Sequence, residues 1–243
     1  MKIYVVGIGP GNEEYMTKQA KESIIESDVI VGYDLYVELI SQLTQGKEII
    51  STPMKKEVDR CKLALDKALE GKTVAFVCSG DSGVYGMAGI MREVAINNPE
   101  VKIITVPGIT AACSGAAVLG APLIHDFSVI SLSDLLTPWE KIEKRLDCAA
   151  QADFVICLYN PKSKKRTDYL KRACEIISNH QSLDTPCGYV KNIGRDGEKG
   201  YVLTLGELLN SQDNIDMFTT VFIGNSSTKI INGQLVTPRG YKQ

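Results

Sequence analysis

The sequence predicts an α/β protein organised around a largely parallel sheet. Two observations carry this: short β-branched runs alternate with stretches whose apolar residues recur at helical spacing, and the runs end in glycine turns. A third is size and composition. At about 150 residues per domain, 243 residues correspond to between one and two domains, and 44% apolar with 23% charged residues is the balance of a folded globular chain. The net charge of −2 provides no global field for nucleic acid or an acidic membrane, so neither is an expected partner and any anion site must be local.

The first strand is expected over residues 3–6, followed by Gly7-Ile-Gly-Pro-Gly11 and a helix capped by Asn12. Residues 29–31 form a second strand ending at Gly32. Val58, Cys61, Leu65 and Ala68 keep helical spacing up to a stop at Gly71, and the apolar run Thr73–Cys78 is a buried strand. Lys102–Val106 is the next strand and residues 110–119 the next helix. Beyond Leu119 the pattern turns to strands separated by longer polar segments, which places a domain boundary there: 1–119 and 120–243, both α/β. In the second half, strands are expected near 127–132, 154–159, 188–191, 201–205 and 219–223. Helices are expected near 139–150 and 163–178.

Seven cysteines, odd in number and without a C-x-x-C pair, read as buried free thiols in a reducing compartment, the cytoplasm. With only two histidines, no metal centre is expected. Residues 103–124 carry no charge over a length sufficient to span a bilayer, but Pro107-Gly108 and Gly120-Ala-Pro122 divide the stretch into strand, turn and helix, so it is expected to be buried in protein. The N-terminus lacks the pattern of a signal peptide and reads directly as a strand.

The loops carry the chemistry. Gly7-Ile-Gly-Pro-Gly11 superficially suits a dinucleotide, but Asn12 stands where that fingerprint needs its third glycine and Pro10 removes a donor. Ser79-Gly-Asp-Ser-Gly-Val-Tyr-Gly86 follows an apolar strand, where open α/β sheets bind ligands. Its glycines permit close approach, and Asp81 suits a ligand bearing amino or hydroxyl groups rather than a phosphate, or else simply caps the turn. Val106-Pro-Gly-Ile-Thr-Ala-Ala112 repeats the arrangement, with Thr110 as helix cap or ligand contact. In the second half Asn160 and Pro161 mark an expected helix start, at which Lys162, Lys164, Lys165 and Arg166 oppose the helix dipole. Either a solvated basic face or a substrate with several carboxylates accounts for them, and Lys191 and Arg195 extend the patch.

Taken in order, Gly-x-Gly-Pro-Gly, Ser-Gly-Asp-Ser-Gly-Val-Tyr-Gly, Val-Pro-Gly-Ile-Thr-Ala and Phe218-Thr-Thr-Val-Phe-Ile-Gly-Asn-Ser-Ser227 resemble the tetrapyrrole (corrin/porphyrin) methyltransferases over nearly the whole chain. Ser82 departs from the pattern, standing where most relatives have proline. His125-Asp-Phe-Ser-Val-Ile-Ser-Leu-Ser-Asp-Leu-Leu-Thr-Pro-Trp139 and Leu158-Tyr-Asn-Pro-Lys-Ser are similar to the branch that methylates C17 of precorrin-3B, or of its cobalt counterpart cobalt-factor III, with ring contraction in cobalamin biosynthesis. The resemblance implies a non-Rossmann fold of two α/β domains with a cleft between them, usually a homodimer. It also implies S-adenosylmethionine as donor, leaving S-adenosylhomocysteine, with cobalt present only as part of the substrate. Carried over position by position, it assigns donor contacts to Pro10, Gly80, Asp81, Ser82, Val84, Thr110, Ala111, Tyr159, Asn160, Ile193 and Thr220. It further suggests Lys162, Lys164, Arg166 and Ser133 for the macrocycle, and His125 and Asp126 as acid–base candidates. A methyltransferase acting at another ring carbon or on a modified histidine, or a silent tetrapyrrole- or nucleotide-binding module, are the alternative readings.

Overall fold

The computed structural model describes residues 1–210 and 212–241, which fall into two compact units, Met1–Ala111 and Ala112–Gln243. In the first unit, β1 (Lys2–Gly7), β2 (Val29–Tyr33), β3 (Glu48–Thr52), β4 (Thr73–Cys78) and β5 (Lys102–Val106) form one sheet in the order β3-β2-β4-β1-β5. Every neighbouring pair is parallel. Helices α1 (Lys18–Glu26), α2 (Asp34–Glu38), α3 (Glu57–Leu69) and α4 (Ala88–Val94) join the strands. The alternation of the sheet shows in its cores: Ile3, Val5, Val29, Val31, Val74 and Phe76 pack with α3 and α4, while Val6, Ile30, Ala75 and Val77 pack with α1 and α2.

The expected strands of this half are present, and β4 and β5 have the expected limits. The first helix begins later than expected. Asn12 caps a short 3₁₀ turn, its side chain accepting from the Glu14 N–H at 3.2 Å, and α1 starts after Thr17, whose hydroxyl accepts from the Ala20 N–H at 3.1 Å. The edge strand β3 went unrecognised because it is largely exposed and carries polar residues.

The second unit holds α5 (Ala111–Leu119, beginning at the boundary), β6 (Gly120–Ala121), β7 (Phe127–Ser131), α6 (Trp139–Gln151), β8 (Val155–Tyr159), α7 (Tyr169–Ile177), β9 (Pro186–Lys191), β10 (Lys199–Thr204), α8 (Leu205–Asn210), β11 (Thr219–Ile223), β12 (Lys229–Ile231) and β13 (Gln234–Val236). Its main sheet is mixed, β10-β9-β11-β8-β7: β7 and β8 are parallel, and the other pairs antiparallel. A small sheet, β12-β13-β6, lies beside it in the same unit. The compact units part near residue 111, whereas the composition shift falls at 119. The reason is α5, which packs with the second half: Gly115 lies against Ile193 and Phe222, and Leu119 against Gly188.

The basic segment differs most from expectation. Residues 161–168 are loop, and α7 begins only at Tyr169, so Lys162, Lys164, Lys165 and Arg166 do not oppose a helix dipole. Asn160 takes the left-handed conformation, φ 53°, a turn conformation that its short amide side chain tolerates and that directs the chain away from a helix.

Among the described residues no helix is long and apolar enough to cross a membrane, and no cluster of His, Cys, Asp and Glu could hold a metal ion. All seven cysteines are free thiols. Cys61, Cys78, Cys157, Cys174 and Cys187 are buried; Cys113 and Cys148 are exposed. Burial pushes the Cys61 thiol up to about 11 and those of Cys78 and Cys174 up to about 12. These groups remain protonated and poorly nucleophilic at pH 8. Iodoacetamide at that pH is therefore expected to modify Cys113 and Cys148 in the native protein and to reach the other five only after denaturation, as read by peptide mass spectrometry.

Candidate functional site: three glycine loops and a polar sheet edge

In the first unit β1, β4 and β5 lie side by side and parallel, so the loops that follow them emerge at one edge of the sheet. This is the edge at which open α/β sheets bind ligands. The loops meet backbone to backbone. Gly9 N–H donates to Gly80 O at 3.1 Å and Gly80 N–H to Gly9 O at 2.7 Å, a two-way bridge between the first and second loops. A Cβ on Gly7 would fall 2.7 Å from Gly80 O, and one on Gly108 only 2.2 Å from the same oxygen, closer than atoms can approach. Gly80 itself has φ 69°, open to glycine at no cost.

Asp81 joins the second loop to the third. Its Oδ1 accepts from Gly83 N–H at 2.7 Å and Val84 N–H at 3.1 Å, and its Oδ2 from Gly108 N–H at 2.9 Å. The fixed carboxylate expected from the sequence is present, and what it visibly holds is backbone. Ser82 has a similar scaffold role: its side chain is fully buried and its hydroxyl donates to Val106 O at 2.9 Å, which leaves only its backbone for a ligand. Pro10 is also buried, while Gly80, Asp81, Thr110 and Ala111 are partly exposed and Val84 is exposed. The three loops contain a single carboxylate and no lysine or arginine. Such a cradle suits a ligand that carries a cationic centre together with amino and hydroxyl donors; a phosphate would meet the Asp81 charge.

In the second unit the mixed sheet likewise gathers polar residues at one edge: the C-terminal ends of β7, β8 and β9 and the start of β11. There the Tyr159 hydroxyl accepts from the Ala112 N–H at 2.7 Å. Asn160 donates through its side chain to the Ser131 hydroxyl at 2.9 Å, and that hydroxyl also accepts from the Ser133 N–H at 3.2 Å. Ile193 and Thr220 lie at this edge but are buried. Lys162 reaches the Gln212 carbonyl at 3.2 Å, Arg166 the Asp134 carboxylate at 3.4 Å and Lys191 the Asp216 carboxylate at 3.2 Å. Burial pushes the Asp216 carboxyl up, but hydrogen bonds from Phe218, Lys191 and Thr219 outweigh it and hold the group below the usual carboxylate range. Arg195 lies over the Phe218 ring, 5.6 Å from its centroid, and Lys164 and Lys165 are exposed.

His125 and Asp126 are not part of this grouping. Both precede β7 and Ser133 follows it, so a five-residue strand, about 15 Å long, separates them from the polar edge. Both are exposed, and the Asp126 N–H donates to His125 Nδ1 at 3.1 Å. The sequence motif joined these residues only because it runs along the strand. Conversely, sequence reasoning missed Asp134 and Tyr169, whose hydroxyl donates to Asp134 Oδ2 at 2.6 Å. That hydrogen bond lowers the Asp134 pKa and raises that of Tyr169. No spacing signal could reveal this pair, since it depends on where α7 starts.

Glycine loops at the parallel edge of one unit and a mixed second sheet define an α/β protein of ligand-binding type. Residues 2–209 match the model of the Tetrapyrrole (Corrin/Porphyrin) Methylases, and the chain belongs to that family and is a methyltransferase. It is 44% identical to the probable cobalt-factor III C(17)-methyltransferase of Salmonella typhimurium, over 98% of both chains. It is 49% identical over its full length to the cobalt-factor III methyltransferase of Priestia megaterium, of which it spans 45%. The crystal structure of the methyltransferase CobJ superposes with a TM-score of 0.91 at 36% identity, covering 97% of this chain and 99% of that one.

Substituting Asp81 by Ala strands three backbone N–H groups at once. Hydrogen bonds to a charged group contribute about 1.5–3 kcal/mol, so D81A is expected to lower unfolding stability and to weaken S-adenosylhomocysteine binding about ten- to a hundredfold. Asp34→Ala removes a carboxylate that makes no hydrogen bond to these loops and is expected to weaken that affinity less than D81A does. Denaturant titration and calorimetry check both.

Proposed function

We propose that this protein transfers a methyl group from S-adenosylmethionine to C17 of cobalt-factor III, in the ring-contracting stage of cobalamin biosynthesis. The observation that carries the reading is the backbone cradle of the first unit, with one carboxylate and no cation, in a chain that belongs to this methylase family. The names of the two curated relatives support the cobalt-containing substrate over precorrin-3B, with the cobalt held by the macrocycle. A homodimer in the cytoplasm completes the proposal, on the family resemblance.

When bound, S-adenosylmethionine supplies an electrophilic methyl group on a sulfonium centre. The protein's part is orientation, because alignment of two reactants supplies much of the barrier reduction in a transfer of this kind. Gly80 and Thr110 present backbone and hydroxyl groups to the donor, with Asp81 holding their loops in register and adding the only negative charge. Tyr159, Asn160, Ile193 and Thr220 are assigned to the donor as well, the last two through local backbone or small accessible surfaces given their burial. Lys162, Lys164 and Arg166 provide positive charge for the peripheral carboxylates of the macrocycle. His125 and Asp126, at the far end of β7, take no acid–base role.

Incubation with methyl-labelled donor and either cobalt-factor III or precorrin-3B is expected to give a product heavier by one methyl group, substituted at C17, with the cobalt compound as the better substrate. Methylation at another carbon, or none, would overturn the reading. His125→Ala and Asp126→Ala are expected to retain kcat/KM within about twofold, the scale of an exposed substitution away from the chemistry. A loss of two orders of magnitude would return them to the site.

A further inference from the structure

Between β7 and α6 the chain crosses the polar edge of the second unit as a short strap, residues 132–138, and it presents two large apolar side chains to solvent. Leu135 is 68% exposed and Leu136 93%. Single exposed leucines are ordinary, but adjacent ones on a segment anchored at both ends call for a partner. The strap is pinned at both ends. Leu132 is fully buried and its N–H donates to Tyr159 O at 2.9 Å; the Ser133 N–H is on Ser131. Asp134 is held by the Tyr169 hydroxyl and by Arg166. At the far end Trp139 is buried, with its ring 4.3 Å from that of Tyr169 and the Arg172 guanidinium 4.2 Å above it. Arg172 is in turn fixed by Glu143 at 3.0 Å, which also accepts from the Trp139 indole N–H. A connector between a strand and a helix needs none of this.

The surroundings identify the kind of occupant. Asn160 is tied to the strap's root through Ser131, and Arg166 to Asp134, so the basic loop 160–168 is anchored against the strap. The same loop carries the exposed Lys164 and Lys165. Apolar surface bordered by cations complements a broad, flat ring system with carboxylates at its rim. Resting on the functional reading above, we infer that Leu135 and Leu136 form the platform for one face of the tetrapyrrole macrocycle, and that Asp134 and Tyr169 act as positioning residues that hold the platform in place.

The test uses the full chain with both leucines replaced by serine, L135S/L136S, assayed beside the parent protein with cobalt-factor III. The expected result is a rise of about tenfold or more in macrocycle KM and in the Kd read from its absorption change, from loss of apolar contact area. S-adenosylhomocysteine affinity by calorimetry, the sedimentation coefficient and the melting temperature should stay as in the parent, since the leucines are exposed. High salt should weaken macrocycle binding through the lysines while preserving the ratio between variant and parent, because apolar contact is not screened. Tyr169→Phe removes only the hydroxyl and should raise KM several-fold with the apolar surface intact; restoration of parent KM in a Y169F variant would remove the positioning role. Unchanged macrocycle KM and Kd in L135S/L136S would overturn the platform, and a fall to a smaller species with unchanged KM would show the strap to be a contact between copies of the chain instead. If the parent binds cobalt-factor III but methylates another carbon, the functional reading fails while the binding ratio still decides the platform.

Discussion

The first unit depends on the approach of three main chains at a point where no side chain fits. Gly7, Gly80 and Gly108 bring the ends of β1, β4 and β5 into backbone contact, with a hypothetical Cβ at Gly108 only 2.2 Å from Gly80 O. That packing is possible because the three strands are neighbours and parallel, so their C-terminal ends share one edge. The cradle is therefore made of peptide groups, whose positions are fixed by the sheet, with Asp81 tying the second loop to the third. Ser82 adds to the same scaffold by fastening the loop to the end of β5.

The second unit solves a different problem with antiparallel pairing. Because β9 and β8 both run opposite to β11, the ends of the first two and the beginning of the third meet at one edge, and Tyr159, Asn160, Ile193 and Thr220 come together from segments distant in sequence. The parallel pairing of β7 with β8 adds Ser133 to this edge and sends His125 and Asp126 to the other. Strand direction, more than residue type, determines which polar groups can cooperate.

The charges follow the same logic. Lys162, Arg166 and Lys191 are each engaged with a carbonyl or carboxylate of their own unit, which orients them, whereas Lys164 and Lys165 extend into solvent. Asp134 sits at the centre of one such group, its carboxyl stabilised in the charged form chiefly by Tyr169. The strap, the basic loop and α7 are thereby one mechanically connected surface.

Much of this was legible in the sequence. Apolar runs ending at glycine, proline or asparagine turns located β1, β4, β5, β8 and β11, because a buried strand must be apolar and its turn must bend sharply. The glycine loops marked the ends of β1, β4 and β5, and their order marked the family. What the sequence could not determine was everything that depends on a partner distant along the chain. Pro161 after Asn160 has the local form of a helix start, yet the left-handed Asn160 and the engagement of Lys162 and Arg166 with Gln212 and Asp134 keep residues 161–168 as loop. Asp81 reads from the sequence as a ligand group or a turn cap, and only the fold shows that it also bonds the second loop to the third; His125 looked adjacent to Ser133 and lies a strand's length away. Local propensity specifies elements within a few residues of one another, while strand order and direction decide which ends meet, and only that decision turns a set of polar residues into a site.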